Sequence, residues 1–326
     1  MKTIVVIGNG SMAVDCLKII RMHGQARVPL VVADPQDVSL LFLKQYCGLE
    51  GIPLQLSGAV NSADTVGRIR ALAPDLIFNI NSFQIIKEEL IAVPREGIIN
   101  FHNGPLPKYR GINVCSWAIM NGEKRYGVSW HLVERGVDAG DIIAQRFFPV
   151  SETETAFSLI AKCIKEGVLL FGEFFPALCR GELPRTRQDH ALASRYTRKD
   201  IPNDGYVDYG WNFEKFDRFV RGLNFTPIQN RFVHPTSIVN SMTFYIQKVA
   251  RYQGAVPSQL EPGTILGVGE GGVDVKIKDD ALRITQVLND SAKPVRLDRF
   301  IENYQLQVGG RMEPSGCDAA WSGLSR

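Results

Sequence analysis

Between residues 1 and 183, short unbroken apolar runs alternate with longer stretches whose apolar positions recur at helical spacing. Ile4–Ile7, Leu30–Ala33, Leu76–Ile80 and Ile98–Phe101 are short, apolar and rich in β-branched residues, as buried strands are. Between them Met12–Ile20, Val38–Tyr46 and Ala63–Leu72 are amphipathic. Asn61 or Ser62 is placed to cap the last of these, with Asp64 and Thr65 in its first turn. Repeated βα units predict a parallel sheet covered by helices on both faces, an α/β domain. A more alternating segment, Tyr126–Glu134, comes next, then Ile142–Phe148, and Thr155–Leu178 reads as one long helix stopped at Gly181.

From Glu182 to Asn203 the pattern dissolves into Pro, Arg, Gln and Asp, which reads as a linker laid over the surface. Phe213–Leu223 resembles a short helix, and Met242–Val249, Thr264–Val268, Val273–Ile277 and Leu282–Val287 are β-like. The turn signals Gly269–Gly272 and Lys278–Asp280 separate alternating strands, so a small antiparallel barrel or sandwich is expected. The resulting division is a first domain over 1–183, a linker over 184–204, a β-barrel-like domain over 205–308 and a disordered tail over 309–326.

The length of 326 residues suits two such domains. A hydrophobic share of 45% and a charged share of 22% are those of a globular chain, and a net charge of +3 is far from a dedicated nucleic-acid binder. No apolar run is long enough to span a bilayer, no secretory signal is visible, and the six cysteines contain no CxxC pair. These features point to reduced thiols in a cytoplasm.

Candidate chemistry centres on Asn100-Phe101-His102-Asn103-Gly104-Pro105-Leu106-Pro107, at the end of the apolar run Gly97-Ile98-Ile99. Residues two apart on a strand share a face, so Asn100 and His102 project together where the Gly/Pro segment leaves the sheet. An oxyanion donor beside a proton acceptor is what acyl transfer needs, although a core histidine beside a turn-forming Asn has the same residues. Gly8-Asn9-Gly10 opens the first helix; with Ala13 and Asp34 it partly matches a dinucleotide fingerprint, but a tight turn explains it better. His131 lies on the strand face opposite Val128, Trp130 and Leu132, and Asp138 falls in a glycine-bounded turn.

Taken together, Asn100-x-His102, Leu106-Pro107-x-x-x-Gly111, Gly127-Val128-x-x-His131 and Asp138-x-Gly140 occur in an order and spacing that resembles the formyltransferase family using 10-formyltetrahydrofolate. Pro107-Lys108-Tyr109-Arg110-Gly111 is especially similar to the amino-sugar members. The resemblance runs through Asp204–Trp211 and Arg221–Asn224 into a C-terminal domain like the family's oligonucleotide-fold-like (OB-like) barrel. It implies a Rossmann-like catalytic domain in which Asn100, His102 and Asp138 are catalytic and His131 supports them. It also implies a folate crevice walled by Ser82, Phe83, Ile85, Ile86, Val137 and Asp138, an acceptor side near Asn103, Gly104, Lys108, Tyr109 and Arg110, and no metal. Asp138 would orient the imidazole as the third member of a triad does.

The implied reaction passes a formyl group to an amine, and three acceptors compete. Initiator methionyl-tRNA is disfavoured because the corresponding loop, Asp34–Ser39, has two acidic residues and no basic one. A nucleotide-linked amino sugar and an amino-acid-derived amine, free or on a carrier protein, remain. His102-x-Gly104-Pro105-Leu106-Pro107 departs from the common His-x-Ser-Leu-Leu-Pro and resembles formyltransferase-like domains beside nonribosomal peptide assembly lines. A formyltetrahydrofolate hydrolase and a catalytically silent binding module stay open, as does a homodimer. Such hydrolases usually carry a regulatory domain in front, whereas this chain begins on its first strand.

Overall fold

The computed structural model describes residues 1–82, 84–182 and 184–313. Two compact units divide the chain. The first comprises 1–114, 125–150 and 160–197; the second comprises 115–124, 151–159 and the residues from 198 onward.

In the first part of the chain β1 (Lys2–Gly8), α1 (Gly10–His23), β2 (Ala26–Ala33), α2 (Leu40–Glu50), β3 (Leu54–Leu56), α3 (Ala63–Ala71), β4 (Leu76–Ile80), α4 (Glu88–Ile91) and β5 (Gly97–His102) follow in order. Then come β6 (Arg110–Gly111), α5 (Val114–Met120), β7 (Arg125–Leu132), β8 (Ile142–Pro149), α6 (Ala156–Arg180) and β9 (Arg195–Tyr196). The main sheet has the order β3-β2-β1-β4-β5-β7-β8. Its first five strands are parallel, as the βα repeats predict, and β7 and β8 add an antiparallel edge that those repeats did not announce. Short alternation in Tyr126–Glu134 was the sign of it, because one hairpin can be added to a sheet edge without a crossover helix.

Gly8-Asn9-Gly10 is a steric turn. A Cβ on Gly8 would lie 2.5 Å from the Ile80 carbonyl oxygen, and Gly10 has φ +73°. The Asn9 side chain accepts from the Asp34 N–H, and the Asp34 carboxylate accepts from Gln36 N–H. Asp34 is therefore spent on its own loop. Ser62 caps α3, accepting from Thr65 N–H, while Asn61 reaches the backbone at Ile85 and Lys87.

The floor beneath the carboxyl end of β5 is aromatic. Phe101 and Trp130 pair across β5 and β7 with ring centroids 5.2 Å apart, and Trp130 meets Phe171 of α6 at 5.2 Å. Trp130 Nε1 donates to the Gly167 carbonyl, and a Cβ on Gly167 would sit 2.2 Å from the Phe101 ring. This close helix–sheet approach commits one face of β5 and β7 to packing and leaves Asn100, His102, Ser129 and His131 on the other.

Of the segment 184–204, read as a linker, residues 184–197 take part in the first unit and 198–204 belong to the second. Arg195–Tyr196 pair in parallel with Arg110–Gly111, Thr186 bridges Ile142, and Gln188 is buried.

In the second unit α7 (Phe213–Gly222), capped by Asn212, buries Phe216, Phe219 and Val220. Strands β10 (Thr236–Val239), β11 (Met242–Arg251), β12 (Ile265–Gly269), β13 (Gly272–Lys276) and β14 (Ala281–Leu288) are followed by β15 (Pro294–Val295), α8 (Leu297–Asn303) and β16 (Met312–Glu313). The antiparallel order is β12-β13-β14-β11-β10-β16, with β15 pairing β14. The two ends meet: Met312 N–H donates to the Gly263 carbonyl at 2.9 Å and Ile265 N–H to that of Gly310 at 2.8 Å. The sheet is thus closed into a barrel. This corrects the expected tail, because Gly309–Glu313 complete the closure and Met312 is fully buried; the rest of that tail lies outside the described residues.

Candidate active site

Strand register sets the first row of the site. Asn79 on β4 pairs with Asn100 on β5, and Asn100 pairs with His131 on β7. Asn79 Nδ2 donates to Asn100 Oδ1 at 2.7 Å, and Asn100 Nδ2 lies 3.0 Å from His131 Nε2. His131 Nδ1 is 2.8 Å from the Leu132 carbonyl oxygen, which can only accept, so Nδ1 carries the proton. In the neutral ring Nε2 is then an acceptor and takes one hydrogen of the Asn100 amide. With its oxygen occupied by Asn79, Asn100 keeps its second N–H to offer. Asn79, whose own Oδ1 is buried without a hydrogen-bond partner among the described residues, was not singled out in the sequence. Only the strand register shows what it touches.

His102 is fixed differently from a triad histidine. Its Nε2–H donates to the Tyr109 carbonyl at 2.7 Å, and Nδ1 faces Asp138 Oδ2 at 3.5 Å. The Tyr109 carbonyl, rather than Asp138, therefore dictates the tautomer and leaves the basic nitrogen beside the carboxylate. Gly104 makes this possible: a Cβ there would lie 2.8 Å from His102 Nε2 and 2.9 Å from the Tyr109 oxygen. The Gly that departs from the common Ser thus borders the histidine directly.

Asp138 has φ +51° and is partly buried. Its Oδ2 accepts from Gly111 N–H at 2.8 Å, and its Oδ1 lies 3.4 Å from His131 Nε2. Burial alone would raise its pKa; the His102 and His131 imidazoles and the Gly111 N–H outweigh that and hold the carboxyl well below the usual carboxylate range. Burial pushes the His102 imidazole down, partly offset by Asp138 and the Tyr109 carbonyl, with His131 adding to the lowering. At neutral pH the pair is a carboxylate beside a neutral base.

Two further residues missed in the sequence hold the loop after β5. Ser129 donates to the Gly104 carbonyl at 2.7 Å and accepts from Leu106 N–H; Gln145 donates to both Ser129 Oγ and the Leu106 carbonyl. Tyr109, 1% exposed, stacks on Tyr196 with centroids 5.8 Å apart, so its ring is packed into the fold. Lys108 is exposed, with Nζ 5.2 Å from the Tyr109 ring centroid, and Asn103 is partly exposed. Arg110 is 8% exposed, and its guanidinium is bonded to Gln188 and His190.

On the side assigned to folate, Ser82, Ile86 and Val137 are partly exposed and Ile85 is 74% exposed; Phe83 lies outside the described residues. Residues 84–87 form a connection rather than a helix, pinned by Gln84, whose Oε1 accepts from Val60 N–H, and by Asn61. An exposed Ile on a pinned backbone is an apolar wall open to a ring.

Residues 1–172 match the family model described as formyl transferase, and residues 201–305 match that of its C-terminal domain. A methionyl-tRNA formyltransferase of Citrifermentans bemidjiense is 32% identical over 80% of this chain and 78% of its own length. An N-formyltransferase of Helicobacter canadensis, solved with folinic acid and dTDP-3-aminofucose, superposes with TM-score 0.65 at 20% identity, covering 87% of this chain and 99% of that one. HypX of Aquifex aeolicus, solved with tetrahydrofolic acid, gives TM-score 0.63 at 19% identity over 94% of this chain and 48% of its own.

Proposed function

The chain belongs to the formyl transferase family, and on that premise we propose that it moves a formyl group from 10-formyltetrahydrofolate to a primary amine of a small metabolite, with Asn100, His102 and Asp138 as catalytic residues. The observation that carries this reading is the oriented Asn100 amide beside a neutral His102 whose Nδ1 faces an ionised Asp138.

The amine nitrogen attacks the formyl carbon, a C–N bond forms and negative charge develops on the formyl oxygen. Asn100 donates its remaining N–H there, a contact worth about 3–4 kcal/mol to the transition state. The amine's proton passes to His102 Nδ1, and Asp138 stabilises the resulting imidazolium. Collapse breaks the bond between the formyl carbon and the folate nitrogen, which takes up the proton held by His102 and restores the neutral base; the products are an N-formyl compound and tetrahydrofolate. The exposed Ile85, with Ser82, Phe83, Ile86 and Val137, suits the folate side, and Asn103 and Lys108 suit the acceptor side. Gly104, Tyr109 and Arg110, first assigned to the acceptor, act by shaping and holding the loop.

The segment 34–42, a loop running into the first turn of α2, supports a small acceptor over tRNA. It holds no basic residue, its Asp34 and Asp37 carboxylates turn onto their own backbone, and Val38 is 92% exposed beside exposed Leu41 and Phe42. Phosphate binding would need the opposite charge. The competing reading, formylation of methionyl-tRNA, draws on the name of the 32%-identical relative.

The test is consumption of 10-formyltetrahydrofolate against a panel of nucleotide-linked amino sugars, amino-acid amines and initiator methionyl-tRNA. Turnover with a small amine alone is expected. Preference for the tRNA would replace the acceptor assignment, and rapid amine-independent formate release would make the protein a hydrolase. Absence of folate binding would remove both.

A further inference from the structure

We propose that Gln188, braced by Arg110, is a positioning residue that locks the Asp138 loop in its left-handed conformation. Gln188 is 4% exposed although Arg187 and Asp189 on either side are exposed. Its Nε2 donates to the Asp138 carbonyl at 2.9 Å and to the Gly140 carbonyl at 2.6 Å. Its Oε1 accepts from Arg110 Nε at 3.1 Å and Nη2 at 2.5 Å, and Nη2 also lies 3.1 Å from His190 Nδ1.

These partners permit one orientation of the amide. A guanidinium only donates, so the atom facing it must be the oxygen; backbone carbonyls only accept, so the atom facing them must be the nitrogen. Both amide hydrogens and the oxygen are then fully used, and a 180° flip would place two donors against Arg110 and an oxygen against two carbonyls. The side chain is a rigid pin between Arg110, on β6 where it pairs with β9, and the loop that carries the carboxylate.

The loop needs such a pin. Asp138 at φ +51° occupies a region that non-glycine residues adopt sparingly, and such conformations persist where the surroundings over-determine them. Gly111 N–H holds the carboxylate of Asp138 and Gln188 holds its carbonyl. Arg110 and Gly111 are consecutive, so one short strand supplies both restraints. The carboxylate therefore meets His102 and His131 only while the Gln188 bonds keep the backbone turned.

The kinetic arm of the test rests on the formyl-transfer reading; the exchange arm does not. Gln188→Glu keeps an oxygen towards Arg110 and removes the donor from both carbonyls, and Gln188→Leu removes both ends. For both variants we expect kcat to fall about 10-fold or more with KM for the folate and the amine within about threefold. Deuterium exchange at the Gly111 amide should accelerate in the substrate-free protein, with the thermal midpoint of Gln188→Glu close to that of the wild type. Unchanged kcat and unchanged Gly111 exchange in both variants would overturn the proposal. So would a kcat loss that follows only a lowered thermal midpoint, with Gly111 exchange no faster than that of other amides. Faster Gly111 exchange in a protein whose wild type transfers no formyl group would support the pin and defeat the formyl-transfer reading.

Discussion

Asn100 and Asp138 both meet His131 but are held by different means. Asn100 sits in mid-sheet, where the backbone ladders of β4, β5 and β7 place Asn79, Asn100 and His131 in one row. Asp138 sits on a loop between β7 and β8, at positive φ, tied by single hydrogen bonds from Gly111 and Gln188. Many cooperative backbone bonds set the backbone at the first position, and the Asn79 and His131 side chains orient its amide. A few side-chain and backbone contacts set the second, so it is open to local disruption.

The comparison can be broken most sharply at Asp138. Asp138→Asn is expected to lower kcat about 10³-fold or more, by removing the charge that stabilises the imidazolium, with folate affinity retained. Steady-state kinetics beside folate titration checks this; a loss confined to KM would make the carboxylate a binding group. Asn100→Ala should cost about 10²–10³-fold in kcat while leaving the sheet intact, since only a donor is lost. Circular dichroism and kcat together decide it, and a near-normal rate would remove Asn100 from the oxyanion role.

Gly104→Ala is expected to act on His102 without touching the strand. Its Cβ would crowd the bond between His102 Nε2 and the Tyr109 carbonyl, and a loss of about 10–100-fold in kcat is expected for a ring displaced by a fraction of an ångström. A crystal structure of the variant with an undisturbed His102–Tyr109 contact would contradict that. The smallest effect is a titration. Burial lowers the His102 pKa, so the neutral base persists as pH falls until a midpoint below 6.5, under which the ring is protonated and can no longer accept the amine's proton. Imidazole NMR in the free protein should show this midpoint, and Asp138→Asn should move it lower still, because the carboxylate raises it. A midpoint above 6.5 would mean that Asp138 outweighs burial.

Much of the site was legible in residue type and spacing. Asn100-x-His102 at the end of an apolar run, and Asp138 between glycines, stand out as candidates in the sequence, and the fold brings His102 Nδ1 and Asp138 Oδ2 to 3.5 Å. Asn79, Ser129, Gln145 and Gln188 were not legible, since each is an ordinary polar residue whose importance lies in a partner 16 to 50 residues away. The burial of Tyr109 and Arg110, among the acceptor-side candidates, was hidden for the same reason. Pro107-Lys108-Tyr109-Arg110-Gly111 looks like a binding loop in sequence, yet Tyr109 and Arg110 turn inward to hold it.

The sequence by itself determined the alternation that builds the parallel sheet, the β-rich second part and the candidate residues of the site, because hydrophobic periodicity and turn residues act over a few positions. Tertiary structure alone decided the antiparallel edge, the closure of the barrel through Gly309–Glu313, the tautomer of His102 and the pin at Gln188. Each of these depends on hydrogen bonds between segments far apart in the chain, and a buried polar group takes its role from whichever donor or acceptor the fold sets against it.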